Sequence, residues 1–254
     1  MQVVGIGRVL FWEGGSLWLG LSTGAVDHHA HHAIQIILPL GGTVELRQSP
    51  GGDWVQYPGA VITPDLPHAF RAPGRAVANI LFEPESAAGR ALLKRYNMPG
   101  IAALPDGHAA ELAAPLGAAY LAGAGDADLV ALARAVVAAL SGIAPRAQSA
   151  EKRVLAAIAH IRSHIDEPIE LQALARLVGL SAGRFRHLFV SETGVPCKAF
   201  VLWERLNRAL ALGFGGMSWT DAAHAANFAD SAHLSRTCRR MFGLAPTGID
   251  IERP

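Results

Sequence analysis

Between residues 171 and 243 one short pattern occurs twice. LQALARLVG runs into SAGRFRHLFVSETG, and TDAAHAANF runs into DSAHLSRTCRRMFG. Each copy reads as a short helix, a tight turn and a second helix, with Leu234 standing 49 residues after Phe185. Gly179 permits the turn in the first copy. This repeat constrains the fold more than any other feature. Two helix-turn-helix units joined by one long helix, near 197–212, fix the spacing of their second helices. Such a pair can enter successive major grooves of double-stranded DNA, about 34 Å apart.

The second helices carry the chemistry such a pair needs. Ser181 suits an N-cap, and Phe185, Leu188 and Phe189 at i, i+3, i+4 mark the buried side. That leaves Gly183, Arg184, Arg186 and His187 facing outward. In the second unit His233, Ser235 and Arg236 take the same faces. Arg186 is the natural reader of guanine O6 and N7, whereas Arg239 and Arg240 suit phosphate. The net charge of +1 says nothing, but it is unevenly spread: residues 1–150 carry −2 and residues 151–254 carry +3. A basic C-terminal half is consistent with a polyanionic partner.

The segment from Leu171 through LSAGRFRHLFVSETGVPCKAFVLWERLNRALAL to WTDAAHAANFADSAHLSRTCRRMFGLAP resembles the DNA-binding domain of AraC-type transcription regulators. The second half carries the diagnostic residues: Ala222-Ala223, Asn227-Phe228, Asp230-Ser231, Leu234-Ser235-Arg236, Phe242-Gly243 and Pro246. The resemblance implies a ligand-responsive regulator, more commonly an activator, which would then meet RNA polymerase. Two departures stand out. Asn227 occupies a position where Gly is usual, and Gly213, Gly215 and Gly216 fall where the linking helix normally ends.

Upstream the chain changes character twice. Residues 1–83 are short apolar runs cut by GG, SPGGD, YPG and RAPGR, which is strand-and-turn chemistry. Residues 84–141 are Ala/Leu-rich with helical period, with a break or kink expected at Pro115. GIAPRAQSAE, residues 142–151, reads as a linker. Residues 152–254 then begin with a helix whose apolar stripe is Val154, Leu155, Ile158, Ile161 and Ile165. The expected chain is therefore multidomain: an all-β sensor barrel with following α-helices over 1–141, the linker, and an all-α double helix-turn-helix over 152–254.

HHAHHAIQIILPLGG and YPGAVITPDLPHAF resemble the two motifs of a cupin barrel, the shape of the AraC-type sensor. The resemblance matches His29 and His31 to the His-x-His pair, Gln35 to the usual Glu, and His68 to the second-motif His. Read as one strand, His29, His31 and Gln35 share a face with Ala33 and Ile37, opposite Ile34, Ile36, Leu38 and Leu40. If that apolar face lies under the helices of 85–141, the imidazoles line an internal cavity. There His29, His31 and His68 suit a divalent transition metal such as Zn, Ni, Cu or Fe, and with Gln35 they equally suit the polar group of an organic effector.

The Ala/Leu-rich faces between 85 and 141 exceed what a small barrel needs to cover it, which points to a homodimer. The longest apolar stretch is cut by Asp126, Asp128 and Arg134, so no membrane span is expected and the chain reads as a cytoplasmic globular protein. Cys197 and Cys238 form no Cys-x-x-Cys pair and read as small buried hydrophobes, with Trp203 and Trp219 in the same core. The competing reading is a cupin-type metal-dependent enzyme, an oxygenase or isomerase. Its ligand set would be incomplete here, since Gln35 replaces the carboxylate and a regulatory domain is attached, so an enzyme is not expected.

Overall fold

The computed structural model describes residues 3–96, 100–143 and 151–252. Among these, one compact unit gathers 3–84, 88–143 and 238–252, and a second gathers 85–87 and 151–237. Most of the expected linker, residues 144–150, lies outside the described residues. No described helix is long and apolar enough to cross a membrane.

The first unit opens with nine strands: β1 Gly5–Trp12, β2 Gly15–Ser22, β3 Ala25–His29, β4 Ile34–Pro39, β5 Val44–Arg47, β6 Val55–Tyr57, β7 Ala60–Ile62, β8 His68–Arg71 and β9 Arg75–Phe82. Helix α1 spans Ala87–Arg95, β10 Ile101–Ala103, α2 Asp106–Leu121 and α3 Asp126–Ser141. A final strand, β11 Ile249–Ile251, follows a 3-10 turn at Pro246–Gly248. The strands make a seven-stranded sheet in the order β10-β7-β4-β9-β2-β1-β11 and a four-stranded sheet in the order β3-β8-β5-β6. Alternation along β4 decides the layering. Ile34, Ile36 and Leu38 join Leu92, Leu104, Ala113, Leu116, Leu129 and Leu140 in the core beneath the helices. Ile37 faces the other way, into a core shared with Val44, Leu46, Ile62 and Val77.

Three sequence expectations are corrected in detail. The stretch from 84 to 141 is not purely helical, because β10 pairs antiparallel with β7. Residues 152–254 are not purely helical either, because β11 pairs parallel with β1. Both are three-residue edge strands, too short to show alternation in sequence. Helix α2 runs through Pro115 without a break. Pro115 and Glu111, whose carbonyl loses its helical donor, both lie on the exposed side of the helix, where solvent can replace that donor. Asp126, expected at the start of α3, also forms an ion pair with the buried Arg8 of β1.

The second unit is helical. It contains α4 Lys152–Ser163, α5 Leu171–Leu177, α6 Ala182–Thr193, α7 Cys197–Phe214, α8 Trp219–Ala225 and the start of α9 Ser231–Phe242. The stripe on α4 is buried at Val154, Ala157, Ile158 and Ile161. Glu151 caps this helix, accepting from the Arg153 and Val154 amides. Phe189 sits between Phe185 and Phe200, each ring centroid 5.5 Å away, and ties α6 to α7. Arg162 donates to both carboxylate oxygens of Glu204, at 3.1 and 3.3 Å, joining α4 to α7.

The two departures from the family pattern have structural answers. Asn227 adopts a φ of 57°, the left-handed turn that Gly179 makes in the first helix-turn-helix at 68°. Asn tolerates that region better than other residues with a Cβ, and its side-chain amide donates to the Asp166 carbonyl at 3.1 Å. Gly213 lies inside α7, and a Cβ there would stand 2.1 Å from the Trp219 ring. The missing side chain lets Trp219 seat directly on the linking helix.

Candidate functional site

Two sites emerge, one in each unit. On α6, Ser181 accepts from the Arg184 amide at 3.4 Å and fixes the helix start. Phe185, Phe189 and Thr193 are buried, whereas Gly183, Arg184, Arg186 and His187 are all exposed. On α9, Leu234, Thr237, Cys238 and Phe242 are buried and Arg236 is exposed. His233 and Ser235 lie at the flanks, half-buried. The His233 amide donates to Asp230 Oδ1 at 2.6 Å, and its ring meets Phe228 edge-on at 5.1 Å. The outward face of α9 therefore centres on Arg236 and Arg239. Arg239, which the sequence assigns to phosphate, shares this exposed face. Helix α7, 18 residues long, supplies about 27 Å of helix between the two helix-turn-helix motifs.

The second site is the histidine cluster. The run from His28 to His32 is not one strand: β3 ends at His29 in the small sheet and β4 begins at Ile34 in the large one. The chain crosses between sheets here, and that crossing brings His29, His31 and Gln35 together with His68 of β8. His29, His31 and His68 are buried, and one ring nitrogen of each lies within 4.8 Å of the others'. Ring centroids stand 4.2 Å apart for His29 and His68, and 5.5 to 5.6 Å for the other pairs.

Their hydrogen bonding sets the protonation. Nδ1 of His29, His31 and His68 faces the carbonyl of Asp27, Ala33 and Leu66 at 2.7, 3.0 and 2.9 Å. A carbonyl only accepts, so Nδ1 carries the proton and Nε2 the lone pair. Burial lowers the pKa of all three imidazoles, His68 to about 3, and the neighbouring rings of the cluster push His29 and His68 down further. They are neutral at pH 7. Yet Nε2 of both His31 and His68 lies 3.0 Å from Gln35 Oε1, acceptor against acceptor. The Gln35 amide nitrogen meanwhile donates to Asn79 Oδ1 at 2.8 Å. Two arrangements satisfy this set. A cation among the lone pairs does so directly. Turning the Gln35 and Asn79 amides over does so as well, with Gln35 then donating to both rings.

His29, His31, Gln35 and Asn79 also line a cavity that opens to solvent. Most of the remaining wall is apolar, including Ile6, Val9, Trp18, Leu19 and Leu81, and the carboxy-terminal segment adds Phe242, Leu244 and Ile249. Phe242 stacks on Trp18 with centroids 4.8 Å apart.

Residues 174–249 match the family model HTH_18, described as a helix-turn-helix domain. The match takes in α6, the linking helix α7 and α9. These residues form a helix-turn-helix domain. The whole chain is also similar in fold to ToxT from Vibrio cholerae. An apo form from strain SCE256 superposes with a TM-score of 0.59 at 10% identity, covering 94% of this chain and 97% of that one. The wild-type protein of the same strain, bound to an unsaturated fatty acid, gives 0.55 at 9% identity, with 91% and 92% covered. A regulator from Chromobacterium violaceum with an AraC-type DNA-binding domain is 28% identical over 38% of this chain and 87% of its own, with a TM-score of 0.37. At 9 to 10% identity the ToxT likeness speaks for the fold alone.

Several residues at these two sites carry no signal in the sequence. Asn79 had no signal beyond its place in VANILF. Phe242, Leu244 and Ile249 look like ordinary helix-end and tail residues. Both cysteines are buried as expected, and burial holds their thiols up at about 11 for Cys197 and about 12 for Cys238. They are protonated and unreactive at neutral pH.

Proposed function

We propose that this protein is a ligand-responsive, DNA-binding transcription regulator. The double helix-turn-helix with exposed Arg184, Arg186, His187 and Arg236 carries the reading. Gly183, His233 and Ser235 complete the DNA-facing set. The sensor site is His29, His31, Gln35 and His68. Three Nε2 lone pairs and an amide oxygen suit a divalent first-row metal, held by imidazoles whose Nδ1–H groups are already oriented by backbone carbonyls. The adjoining apolar cavity suits a small organic effector. Residues 1–141 act as the sensor and dimerisation part, 142–151 as the linker and 152–254 as the DNA-binding part. Activation, through RNA polymerase, is the direction its family resemblance favours. A metal-dependent enzyme is the weaker reading: no carboxylate lines the cavity among the described residues, and the usual Glu is the neutral Gln35.

The test is binding of the full chain to fragments from its own gene's upstream region. Affinity should be sequence-selective and fall steeply with salt. Arg186→Ala should weaken the selected site by about 1–3 kcal/mol and relax preference at one base pair. Binding that ignores sequence would reject the assignment.

Dimerisation through α2 and α3 is the accompanying proposal. Ala110, Ala114 and Ala118 lie exposed along one side of α2, followed by Leu121 at 87% exposure, and Ala127 and Ala131 are exposed on α3. Small side chains allow close helix approach. Sedimentation at about 10–50 μM should give a dimer. Leu121→Glu should shift it to monomer, and a monomeric wild type would count against the interface.

A further inference from the structure

Val190 puts an aliphatic side chain on the solvent-facing side of α6. It is 37% exposed, on the side of α6 away from Phe185 and Phe189. With Gly183 and His187 it forms an i, i+4, i+7 line, one row of a helix surface. A Cβ on Gly183 would meet nothing within 4 Å, so this line is open along its first turn. Arg184 and Arg186 flank it on either side, both exposed. The offset that aligns Phe185 with Leu234 aligns His187 with Arg236 and Val190 with Arg239. The second helix-turn-helix thus presents two guanidiniums where the first presents an imidazole and an isopropyl group.

We infer that Val190 reads the C5-methyl group of a thymine in the major groove. This rests on the DNA-binding reading above. Thymine is the base whose groove edge carries an apolar group, and an aliphatic side chain between cationic neighbours is suited to it. Arg184 and Arg186 bring phosphates and guanines to the same face, which places the isopropyl group at base depth. The two recognition helices would then differ in kind. The first discriminates partly by apolar contact, which salt does not screen, and the second by charge.

The experiment uses the full chain and the best sequence it selects from random duplex DNA. Each thymine of the half-site read by α6 is replaced in turn by deoxyuridine, which removes only the C5-methyl. Wild-type binding should weaken about fourfold at one position, the value of one buried methyl at ~0.8 kcal/mol. Val190→Ala should bind the thymine site about fourfold more weakly. It should be indifferent to deoxyuridine at that position, with an unchanged salt slope and an unchanged melting temperature. Arg186→Ala, by contrast, should keep the deoxyuridine penalty. Selective binding with no deoxyuridine-sensitive position, or a Val190→Ala protein that retains the penalty, overturns the inference while leaving the regulator reading intact. Wild-type protein that selects no sequence overturns both.

Discussion

Replacing His29 and His31 together with alanine should abolish uptake of divalent metal. Untagged wild-type protein, dialysed against Zn²⁺ or Ni²⁺ and then against metal-free buffer, should retain about one ion per chain. The donors explain why. The three imidazoles are buried, neutral at pH 7, and present their lone pairs within one small volume. Each is oriented by a carbonyl that fixes its tautomer. Such orienting hydrogen bonds are themselves worth about 10–100-fold in metal affinity. Removing two of the three ligands should therefore cost more than about 100-fold. Gln35→Glu should do the opposite, supplying an anionic oxygen where a neutral one stands. Equal and negligible metal in wild type, the double variant and Gln35→Glu would reject the metal and leave the flipped-amide network as the resting state. The pocket would then be judged by the response of the double variant to inducing conditions.

The double helix-turn-helix was legible because its signals are local. Apolar period, the turn at Gly179 and the cap at Ser181 each depend on residues within one or two turns. The break in register at His28–His32 was not legible. Alternation is a property of a single strand, and nothing in HHAHH announces that the chain leaves one sheet for the other between His29 and Ile34. The inward placement of His29, His31 and Gln35 was still anticipated, since the apolar face of β4 does lie beneath α1, α2 and α3. The partnership of Gln35 with Asn79 spans 44 residues of sequence and rests on the pairing of β4 with β9. The strand β11 was hidden for a related reason. Ile249–Ile251 has too few residues to carry a pattern, and its partner β1 lies at the other end of the chain. Long-range pairings of short segments are written in the tertiary fold, and no local propensity specifies them.

Gly243→Val should free residues 244–252 from the seven-stranded sheet. Gly243 ends α9 with a φ of 71°, its amide donating to the Arg239 carbonyl at 2.9 Å. A non-Gly residue held in that region costs about 1–3 kcal/mol, and a β-branched one is at the upper end. The surroundings add a second obstacle. A Cβ at this position would stand 2.3 Å from the Asp27 carbonyl oxygen, 2.7 Å from Val26 Cγ1 and 2.8 Å from His29 Nδ1. Asp27 and Val26 belong to β3, so the clash cannot be relieved by turning a flexible side chain. The segment itself must yield. It is held by the Asp27 amide donating to Gly243 O, the Val4 amide to Gly248 O and the Glu252 amide to Gly7 O, together with the ladder Gly5↔Ile249 to Gly7↔Ile251. Hydrogen exchange should show slow amides at Ile249–Ile251 in the wild type and nearly free exchange in the variant, with Gly243→Ala between them. Metal uptake should fall as well, by about 10-fold, because the Asp27 carbonyl displaced by the new side chain is the one that orients His29. Unchanged protection in Gly243→Val would mean that the close approach of Gly243 to β3 is not what seats the tail.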